Sequence, residues 1–203
     1  MSQSFHQTGG WIEVVAGVMF SGKSEELIRR VRRAIIARKR VQVFKSHLDA
    51  RYAGIYSVSS HDGRTVEAIP TDSAAQIALQ IDPMAHVIAI DEAQFLDAAV
   101  IPLVTSLAGR GRRVIVAGTD TDFRGEPFGS MPALMAIAEV VDKLHAICVL
   151  CGGPASRNQR LIGGQPAPYD SPVIMVGGTD SYEARCRMCF SAPRKDAGQA
   201  SLL

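Results

Sequence analysis

Apolar residues in this chain occur in short unbroken runs, which are separated by longer segments with helical periodicity. The runs at residues 11–16, 87–90 and 114–117 predict strands that are buried on both faces, as the central strands of a parallel sheet are. Residues 144–149 are similar in composition and predict a last strand of the same core. Further strands are predicted at residues 41–45 and, more weakly, at residues 65–69.

Helical periodicity between the predicted strands indicates amphipathic helices. After Gly22, the apolar residues Leu27, Val31 and Ile35 recur at spacings that place them on one face. The basic residues between positions 29 and 40 fall on the opposite face, which we interpret as a solvated surface rather than a nucleic-acid site. Strands that alternate with helices predict an α/β fold around a parallel sheet. Helices are also predicted at residues 73–80, 100–107 and 132–141.

The overall composition is that of a globular protein and argues against several functional classes. Apolar residues make up 47% of the 203-residue chain, and charged residues make up 21%. The formal net charge is only +2, so no strong positive field favours nucleic acid. Residues 1–10 lack the basic and apolar regions of a signal peptide, and no apolar run approaches the ~20 residues that cross a bilayer. We therefore expect a cytoplasmic protein without a membrane or nucleic-acid partner.

A change in composition near Cys148 divides the chain into two predicted domains. An α/β domain is predicted at residues 11–147, and a smaller β module rich in Gly and Pro at residues 148–192. Extended pieces such as residues 173–176 belong to this module. Residues 46–63 show little periodicity and predict a long loop. The two ends, residues 1–10 and 193–203, are predicted to be flexible tails.

A phosphate-binding motif follows the first predicted strand. Residues 17–24 read GVMFSGKS and fit the pattern G-x-x-x-x-G-K-[ST] between a strand and a helix. Glycines let the backbone wrap round phosphate oxygens, and N–H groups at the helix start attract negative charge. Lys23 adds a positive charge, and Ser24 offers a ligand to Mg²⁺. A Gly-rich turn that binds nothing is the alternative. The predicted ATP-binding residues are Gly17, Val18, Met19, Phe20, Ser21, Gly22, Lys23 and Ser24.

Two carboxylates, Asp91 and Glu92, follow the predicted strand at residues 87–90. Ligands bind at the carboxyl ends of parallel strands, and the phosphate loop leaves its own strand at the same edge. Asp91 is therefore predicted to reach Mg²⁺ through a coordinated water, and Glu92 to accept a proton from an attacking hydroxyl. A solvated strand end is the alternative for both residues. An ATPase can also place a glutamate here to orient water.

The four cysteines of the chain form two C-x-x-C pairs with none left over. In a long chain without secretory features, this arrangement predicts a zinc site rather than disulfides. Four thiolates close the coordination sphere, so the predicted zinc is structural and not catalytic. Four free buried thiols are the alternative. The predicted ligands are Cys148, Cys151, Cys186 and Cys189.

Short motifs spread along the chain share their order and wording with one enzyme family. They are GVMFSGKS at 17–24, DAR at 49–51, SHDG at 60–63, DEAQF at 91–95, DFRGEPFG at 122–129, and G-G-x-x-x-Y at 177–182 just before C-R-M-C at 186–189. Together they resemble the type II thymidine kinases, the family of the human cytosolic enzyme. The resemblance extends from about residue 11 to about residue 190, and the co-occurrence of these motifs is highly specific.

The resemblance implies a fold and a set of roles for individual residues. It implies an ATP-binding α/β domain, a zinc ribbon, and a lasso loop between the two cysteine pairs. Glu92 would activate the 5′-hydroxyl of the nucleoside, Arg51 would contact the transferring phosphates, and Asp49 would lie near Mg²⁺. Gln94 belongs to the same motif but receives no role. The implied nucleoside-binding residues are Met19, Phe95, Thr119, Phe123, Phe128, Asn158, Val173, Ile174, Met175, Val176 and Tyr182.

The implied reaction is transfer of the γ-phosphate of ATP to the 5′-hydroxyl of thymidine, which gives thymidine monophosphate for DNA synthesis. ATP, Mg²⁺ and structural Zn²⁺ are the implied cofactors, with a homotetrameric assembly and feedback inhibition by thymidine triphosphate. A zinc-ribbon ATPase acting on nucleic acid is the alternative, but residues 177–183 offer no basic surface for it. A non-catalytic nucleotide-binding scaffold is hard to reconcile with Lys23, Asp91 and Glu92.

The chain departs from the family pattern near the implied pyrimidine pocket. Thr119 and Asn158 stand where the family usually has Leu and Thr, and Leu96 stands where many members have Phe. The first two residues are more polar than their usual counterparts, which predicts a modest preference for thymidine over deoxyuridine. Ser24 replaces a more frequent Thr and is equivalent to it as a Mg²⁺ ligand.

Overall fold

The computed structural model describes residues 9–46, 57–59, 65–174 and 181–194. The helices are α1 (Lys23–Ile36), α2 (Ala74–Gln80), α3 (Val100–Gly109) and α4 (Met131–Ile137). The strands are β1 (Trp11–Gly17), β2 (Val41–Ser46), β3 (Ser57–Ser59), β4 (Thr65–Glu67), β5 (Ile69–Thr71), β6 (Val87–Asp91), β7 (Arg113–Gly118), β8 (Val140–Leu144), β9 (Ala146–Ile147), β10 (Pro154–Ala155), β11 (Arg157–Ile162), β12 (Gln165–Pro166) and β13 (Ser181–Arg185).

Six parallel strands form the main sheet, in the order β5-β2-β6-β7-β1-β8. The α/β fold predicted from the alternation of strands and helices is therefore confirmed. Strands β6, β7 and β1 lie next to one another in the centre, and their carboxyl ends are Asp91, Gly118 and Gly17. This order brings the phosphate-binding motif and the Asp91–Glu92 pair to the same edge of the sheet.

Apolar cores on both faces of the sheet explain the unbroken apolar runs. Helix α1 covers one face, where Leu27 packs with Val15 and Ile115. Helices α2, α3 and α4 cover the other face, which includes Val14 of β1. Successive residues of a strand point to opposite faces, so a strand covered on both sides needs apolar residues at every position.

A buried charge network interrupts the apolar pattern of β1 at Glu13. Its carboxylate accepts hydrogen bonds from Arg30 of α1 at 2.8 Å and from Arg113 of β7 at 2.6 Å. Burial alone would raise the pKa of Glu13, but the two guanidinium groups hold it below its usual value. Arg30 also contacts Glu26 and Asp142. The prediction of a fully solvated basic face was therefore wrong for Arg30, whose charge is balanced inside the protein.

The end of the α/β region differs from its prediction. The helix expected at residues 132–141 ends at Ile137, and Val140–Leu144 forms strand β8 beside β1. The core strand expected at residues 144–149 was also wrong, because Ala146–Ile147 forms β9 and pairs with β10 outside the main sheet. Short apolar segments do not reveal where a helix gives way to a strand. The half-exposed pattern of β8 reflects its place at the sheet edge.

Two smaller differences lie near the sheet edge and in the long loop. The weak strand expected at residues 65–69 is two strands, since β4 pairs with β3 and β5 joins the main sheet beside β2. Strand β3 lies within the predicted loop at residues 46–63. The other residues of that loop from position 47 onward lie outside the described ranges. No helix within those ranges has the length and apolar character needed to cross a membrane.

We call residues 146–190 the cysteine module. Its strand β11 lies between β12 and β13, while β9 and β10 form a short hairpin beside them. Its apolar centre is small and contains Ala146, Ala155, Ala184 and Cys148. Val173 and Ile174, predicted to be extended, lie in an irregular segment.

Candidate active site

The phosphate-binding motif forms a tight loop between β1 and α1. Gly17 has φ of 151°, and a Cβ there would lie 2.6 Å from the carbonyl oxygen of Leu144, so a side chain does not fit. Gly22 is left-handed, with φ of 84°, at the start of the helix. Lys23 folds back over the loop and donates a hydrogen bond from Nζ to the Val18 carbonyl at 2.8 Å. The loop thus has the strand–turn–helix geometry that phosphate binding requires.

Four carboxylates lie close enough to Lys23 to influence its charge. Burial lowers the pKa of the Lys23 ammonium below its usual value. The carboxylates of Glu92, Asp91, Asp120 and Glu25 act in the opposite direction and favour the charged form. A cation and several anions therefore share a poorly solvated space at the carboxyl ends of β1, β6 and β7.

Asp91 is the most deeply buried of these carboxylates, at 2% exposure. Its Oδ2 atom finds no hydrogen-bond partner within the described residues. Burial raises the pKa of Asp91 to about 7, with a further contribution from the negative charge of Glu92. A buried carboxylate oxygen with no partner suits a hydrated divalent cation, so the residues present fit Mg²⁺.

Glu92 stands just beyond β6 in a left-handed conformation, with φ of 55°, and starts the short 3₁₀ turn Ala93–Phe95. Its carboxylate accepts a hydrogen bond at 2.5 Å from Nε2 of Gln94. The side chain is half-buried, so it remains accessible to a ligand. A left-handed backbone is unusual for glutamate, and such residues are concentrated at functional sites.

Asp120 is a member of the site for which the sequence analysis made no prediction. It follows β7, is 5% exposed, and forms an ion pair at 2.7 Å between Oδ2 and Nζ of Lys143 on β8. Its Oδ1 atom has no hydrogen-bond partner in the part of the chain that the structure describes, and the same holds for Oγ of Ser21. A carboxylate just after a buried strand was the signal that could have identified it, as it did for Asp91.

Several residues predicted for the nucleoside pocket lie together beside Glu92. The rings of Phe95 and Phe128 meet edge to face, with centroids 5.6 Å apart. Thr119 is 7% exposed, and its backbone N–H donates to Oε1 of Gln94 at 2.9 Å. Gln94 thus connects Thr119 to Glu92, and Phe95 follows Gln94 in the chain.

Asn158 connects the cysteine module to the phosphate loop. From strand β11, its Oδ1 accepts a hydrogen bond from the backbone N–H of Met19 at 2.8 Å. Its Nδ2 donates to the carbonyl oxygen of Thr121, also at 2.8 Å. The two ends of the amide therefore contact the backbone of the phosphate loop and of the loop after β7.

Phe123 and the segment at residues 167–174 are held by two arginines. Phe123 lies under the guanidinium groups of Arg124 and Arg160, at 5.1 Å and 5.4 Å from the ring centroid. Arg124 donates to the carbonyl oxygens of Tyr169 and Ser171 at 2.7 Å and 2.9 Å. The segment that leads to Val173 and Ile174 is thus anchored on the loop after β7. This role of Arg124 could not be read from sequence spacing.

Of the remaining predicted site residues, some lie within the described ranges and others lie outside them. Tyr182 lies on β13 and pairs with Arg160 of β11. The backbone of Phe20 is left-handed, with φ of 65°, in the middle of the phosphate loop. The predicted residues outside the described ranges are Asp49, Arg51, Met175 and Val176.

The four cysteines form one compact cluster. Their Sγ atoms all lie within 4.8 Å of one another, and those of Cys151 and Cys186 are 3.7 Å apart. Tetrahedral zinc with Zn–S bonds of about 2.3 Å requires S–S separations of about 3.8 Å, so the set fits the metal. Backbone N–H groups, chiefly that of Cys186, lower the pKa of Cys148 to about 6 and favour its thiolate. The cluster is therefore a candidate structural zinc site.

The fold and the candidate site first identify the structural class of this protein. A phosphate loop between β1 and α1, carboxylates at neighbouring strand ends and a four-cysteine module together describe a P-loop α/β protein with a zinc-ribbon appendage. The family model for thymidine kinase matches residues 10–190, and the chain belongs to that family.

One solved structure similar to this chain is that of the ATPase DotB from Legionella pneumophila. It shares 19% sequence identity with this chain at a TM-score of 0.38. The similarity covers 64% of this chain and 35% of the ATPase chain.

Proposed function

We propose that the protein transfers the γ-phosphate of ATP to the 5′-hydroxyl of thymidine. The observation that carries this proposal is the placement of Glu92, a half-buried carboxylate that accepts a hydrogen bond from Gln94 and acts on the charge of Lys23. Three residues further along the chain, Phe95 packs against Phe128. An ATPase needs a glutamate near its phosphates, but it has no need for an aromatic pocket beside that glutamate. Family membership supports the same assignment.

Residues 17–24 would bind the phosphates of ATP through backbone N–H groups. Lys23 would hold the β- and γ-phosphates, while Ser24 and Asp91 would hold Mg²⁺ directly or through water. The metal would supply charge neutralisation on the phosphate oxygens. Because burial raises the pKa of Asp91 to about 7, the cation would compete with a proton for this carboxylate. Asp49 and Arg51 would complete the site, as the family resemblance implies.

Glu92 would act as the general base. Its carboxylate would accept the proton of the 5′-hydroxyl while the 5′-oxygen forms a bond to the γ-phosphorus. The bond from the γ-phosphorus to the β–γ bridging oxygen breaks, and ADP leaves with that electron pair. Catalysis then consists mainly of positioning and of balancing charge around the transferred group.

Thymidine would bind between the loop after β7 and the cysteine module. Apolar and aromatic side chains suit the pyrimidine ring, and backbone groups of the segment between the cysteine pairs suit its polar edge. Zinc would stabilise the module that carries this segment. The proposed contacts are Met19, Phe95, Thr119, Phe123, Phe128, Asn158, Val173, Ile174, Met175, Val176 and Tyr182.

The broader biological assignment follows from the resemblance and is part of the same proposal. We expect a cytoplasmic homotetramer that supplies thymidine monophosphate for DNA synthesis and is inhibited by thymidine triphosphate. The two proposed domains are residues 11–147 for ATP and residues 148–192 for zinc and nucleoside.

The test is product analysis with ATP, Mg²⁺ and thymidine. We expect ADP and thymidine monophosphate in equal amounts. Glu92→Gln should lower kcat by about 10²–10⁴-fold, the usual contribution of a positioned base, while ATP still binds. Glu67→Gln, on an exposed position of β4, is the matched control and should keep the wild-type rate. Release of free phosphate without thymidine monophosphate would instead favour the ATPase alternative and contradict the proposal.

A further inference from the structure

The side chain of Gln94 joins the ends of two neighbouring strands. Its Nε2 donates to Oε2 of Glu92, just beyond β6, and its Oε1 accepts from the backbone N–H of Thr119, just beyond β7. The orientation of this amide follows from chemistry. A backbone N–H can only donate, so the carbonyl oxygen must face Thr119 and the NH₂ group must face Glu92.

Tight packing leaves Gln94 little freedom to move. It is 5% exposed. A Cβ on Gly118 would lie 2.8 Å from Oε1 of Gln94. A Cβ on Gly129, where φ is 52°, would lie 2.2 Å from its carbonyl oxygen. Gly118 thus lies against the side chain of Gln94 and Gly129 against its main chain, so both parts of the residue are closely packed.

Glu92 depends on such support. Its backbone is left-handed, and its side chain leaves the end of β6 half-buried. Among the residues that the structure describes, Gln94 supplies the hydrogen bond that the Glu92 carboxylate accepts. The hydrogen bond engages Oε2, so Oε1 is the oxygen that would accept a hydroxyl proton.

We propose that Gln94 is the positioning residue for Glu92 and fixes its carboxylate relative to the backbone at Thr119. The inference rests on the proposed function, because it assigns Glu92 the task of accepting the 5′-hydroxyl proton. It adds a physical link between that base and the nucleoside pocket. Gln94 has no predicted contact with either substrate and acts through Glu92.

A double-mutant cycle tests this dependence. Gln94→Met keeps the side-chain length but removes both hydrogen bonds, and we expect a loss of about 10–10²-fold in kcat from a misplaced base. The KM for ATP should stay unchanged. In the Glu92→Gln background, the same substitution should cause little further loss, because the base it positions is already absent. Gln80→Met, at an exposed position on α2, is the matched control and should leave kcat unchanged.

Gln94→Glu supplies a second test that does not depend on the fate of the methionine variant. It keeps an acceptor for Thr119 but places a second carboxylate against Glu92. The carboxylate of this variant cannot donate to Glu92 and would repel it, so kcat should fall at least as far as in Gln94→Met while the KM for ATP stays unchanged. A purely structural glutamine predicts lower protein stability with kcat and KM unchanged in the folded protein.

The possible outcomes separate this inference from the proposed function. If the wild-type protein phosphorylates thymidine but the cycle is additive and Gln94→Glu keeps the wild-type kcat, the positioning role is wrong and the proposed function stands. If the wild-type protein fails to phosphorylate thymidine, both are wrong. Zinc content and the denaturant midpoint of each variant show that the fold is retained.

Discussion

The main sheet and the cysteine module bury side chains of different kinds. Strands β1, β6 and β7 contribute aliphatic residues to two cores, each covered by helices. The cysteine module has alanines around Cys148 at its centre, and β11 buries the polar residues Asn158, Gln159 and Arg160. Burial of apolar surface stabilises the sheet, whereas so small an apolar centre needs a metal and polar contacts. Loss of zinc should therefore unfold the cysteine module but leave the main sheet intact.

The candidate site lies where these two regions meet. The amide oxygen of Asn158 accepts a hydrogen bond from the backbone N–H of Met19 in the phosphate loop, and its NH₂ group donates to the backbone carbonyl of Thr121. Arg124, after β7, holds the carbonyl oxygens of Tyr169 and Ser171 in the module. A nucleoside bound between them would depend on both regions, whereas ATP would depend mainly on the sheet. The following predictions therefore measure ATP binding and thymidine binding separately.

Loss of the metal should have the largest effect and should be confined to one region. We expect one zinc per chain in protein prepared without chelators. Cys151→Ser should remove the zinc, disorder the cysteine module and abolish thymidine phosphorylation. Binding of a non-hydrolysable ATP analogue should persist, because the phosphate loop belongs to the sheet. Elemental analysis, calorimetric binding and product formation measure the three properties.

Zinc removal from the wild-type protein by a chelator, followed by restoration of zinc, is the control for the cysteine substitution. Equal loss of ATP-analogue and thymidine binding would contradict the separation between sheet and module. Absence of zinc from the purified wild-type protein would exclude the metal site itself.

A substitution in the phosphate loop should lower catalysis while the cysteine module and its zinc are retained. Lys23→Ala should lower kcat by about 10²–10³-fold, as loss of one charge-stabilising donor typically does, since the ammonium would no longer reach the transferring phosphate. Zinc content and the denaturant midpoint should change little, because the Lys23 amine bonds only the Val18 carbonyl in the described structure. Steady-state kinetics and chemical denaturation provide the measurements.

Lys39→Ala is the matched control for this variant, because Lys39 is an exposed lysine just beyond α1. It should behave as the wild type. Near-normal turnover by Lys23→Ala would contradict the proposal that residues 17–24 bind the phosphates of ATP.

The same contrast explains how much of the fold could be predicted from the sequence. The strands at residues 11–16, 87–90 and 114–117 were confirmed, because burial on both faces requires a continuous apolar run. Their order in the sheet could not be read from the runs, which carry no pairing information. The strand Val140–Leu144 was missed because an edge strand with one exposed face mixes apolar and charged residues, as the end of a helix does.

The site was predictable only where chemistry follows a local pattern. The cysteine cluster was predicted by spacing, and its four sulfurs do converge. The roles of Lys23, Asp91 and Glu92 stay predictions. Asp120 and Gln94 received no role, because their importance comes from neighbours on other strands. The anchoring of Tyr169 by Arg124 joins residues far apart in the chain, and no local pattern encodes it.

The smallest predicted effect concerns Thr119 and Asn158, the two residues near the pyrimidine that are more polar than the family pattern. The structure shows that their side chains have different hydrogen-bond roles. The Asn158 amide is fully engaged with Met19 and Thr121, so Asn158→Thr would break the junction between sheet and module. Thr119 uses only its backbone N–H in a hydrogen bond with Gln94, so its side chain can change without disturbing that bond. Substitution at Thr119 is therefore the cleaner probe of the pocket.

Thr119→Leu should increase the preference for thymidine over deoxyuridine, measured as the ratio of their kcat/KM values. Burying one methyl group against an apolar side chain contributes about 0.8 kcal/mol, which corresponds to roughly a fourfold change in that ratio. Thr119→Val, with nearly the same volume as threonine, should shift the ratio in the same direction by less. Thr105→Leu, at an exposed position on α3, is the matched control and should leave the ratio unchanged. Crowding by the larger leucine would slow both nucleosides alike and cancel in the ratio. An unchanged ratio in both Thr119 variants would show that this side chain does not face the 5-methyl group, and that the sheet contributes the base but not the discrimination.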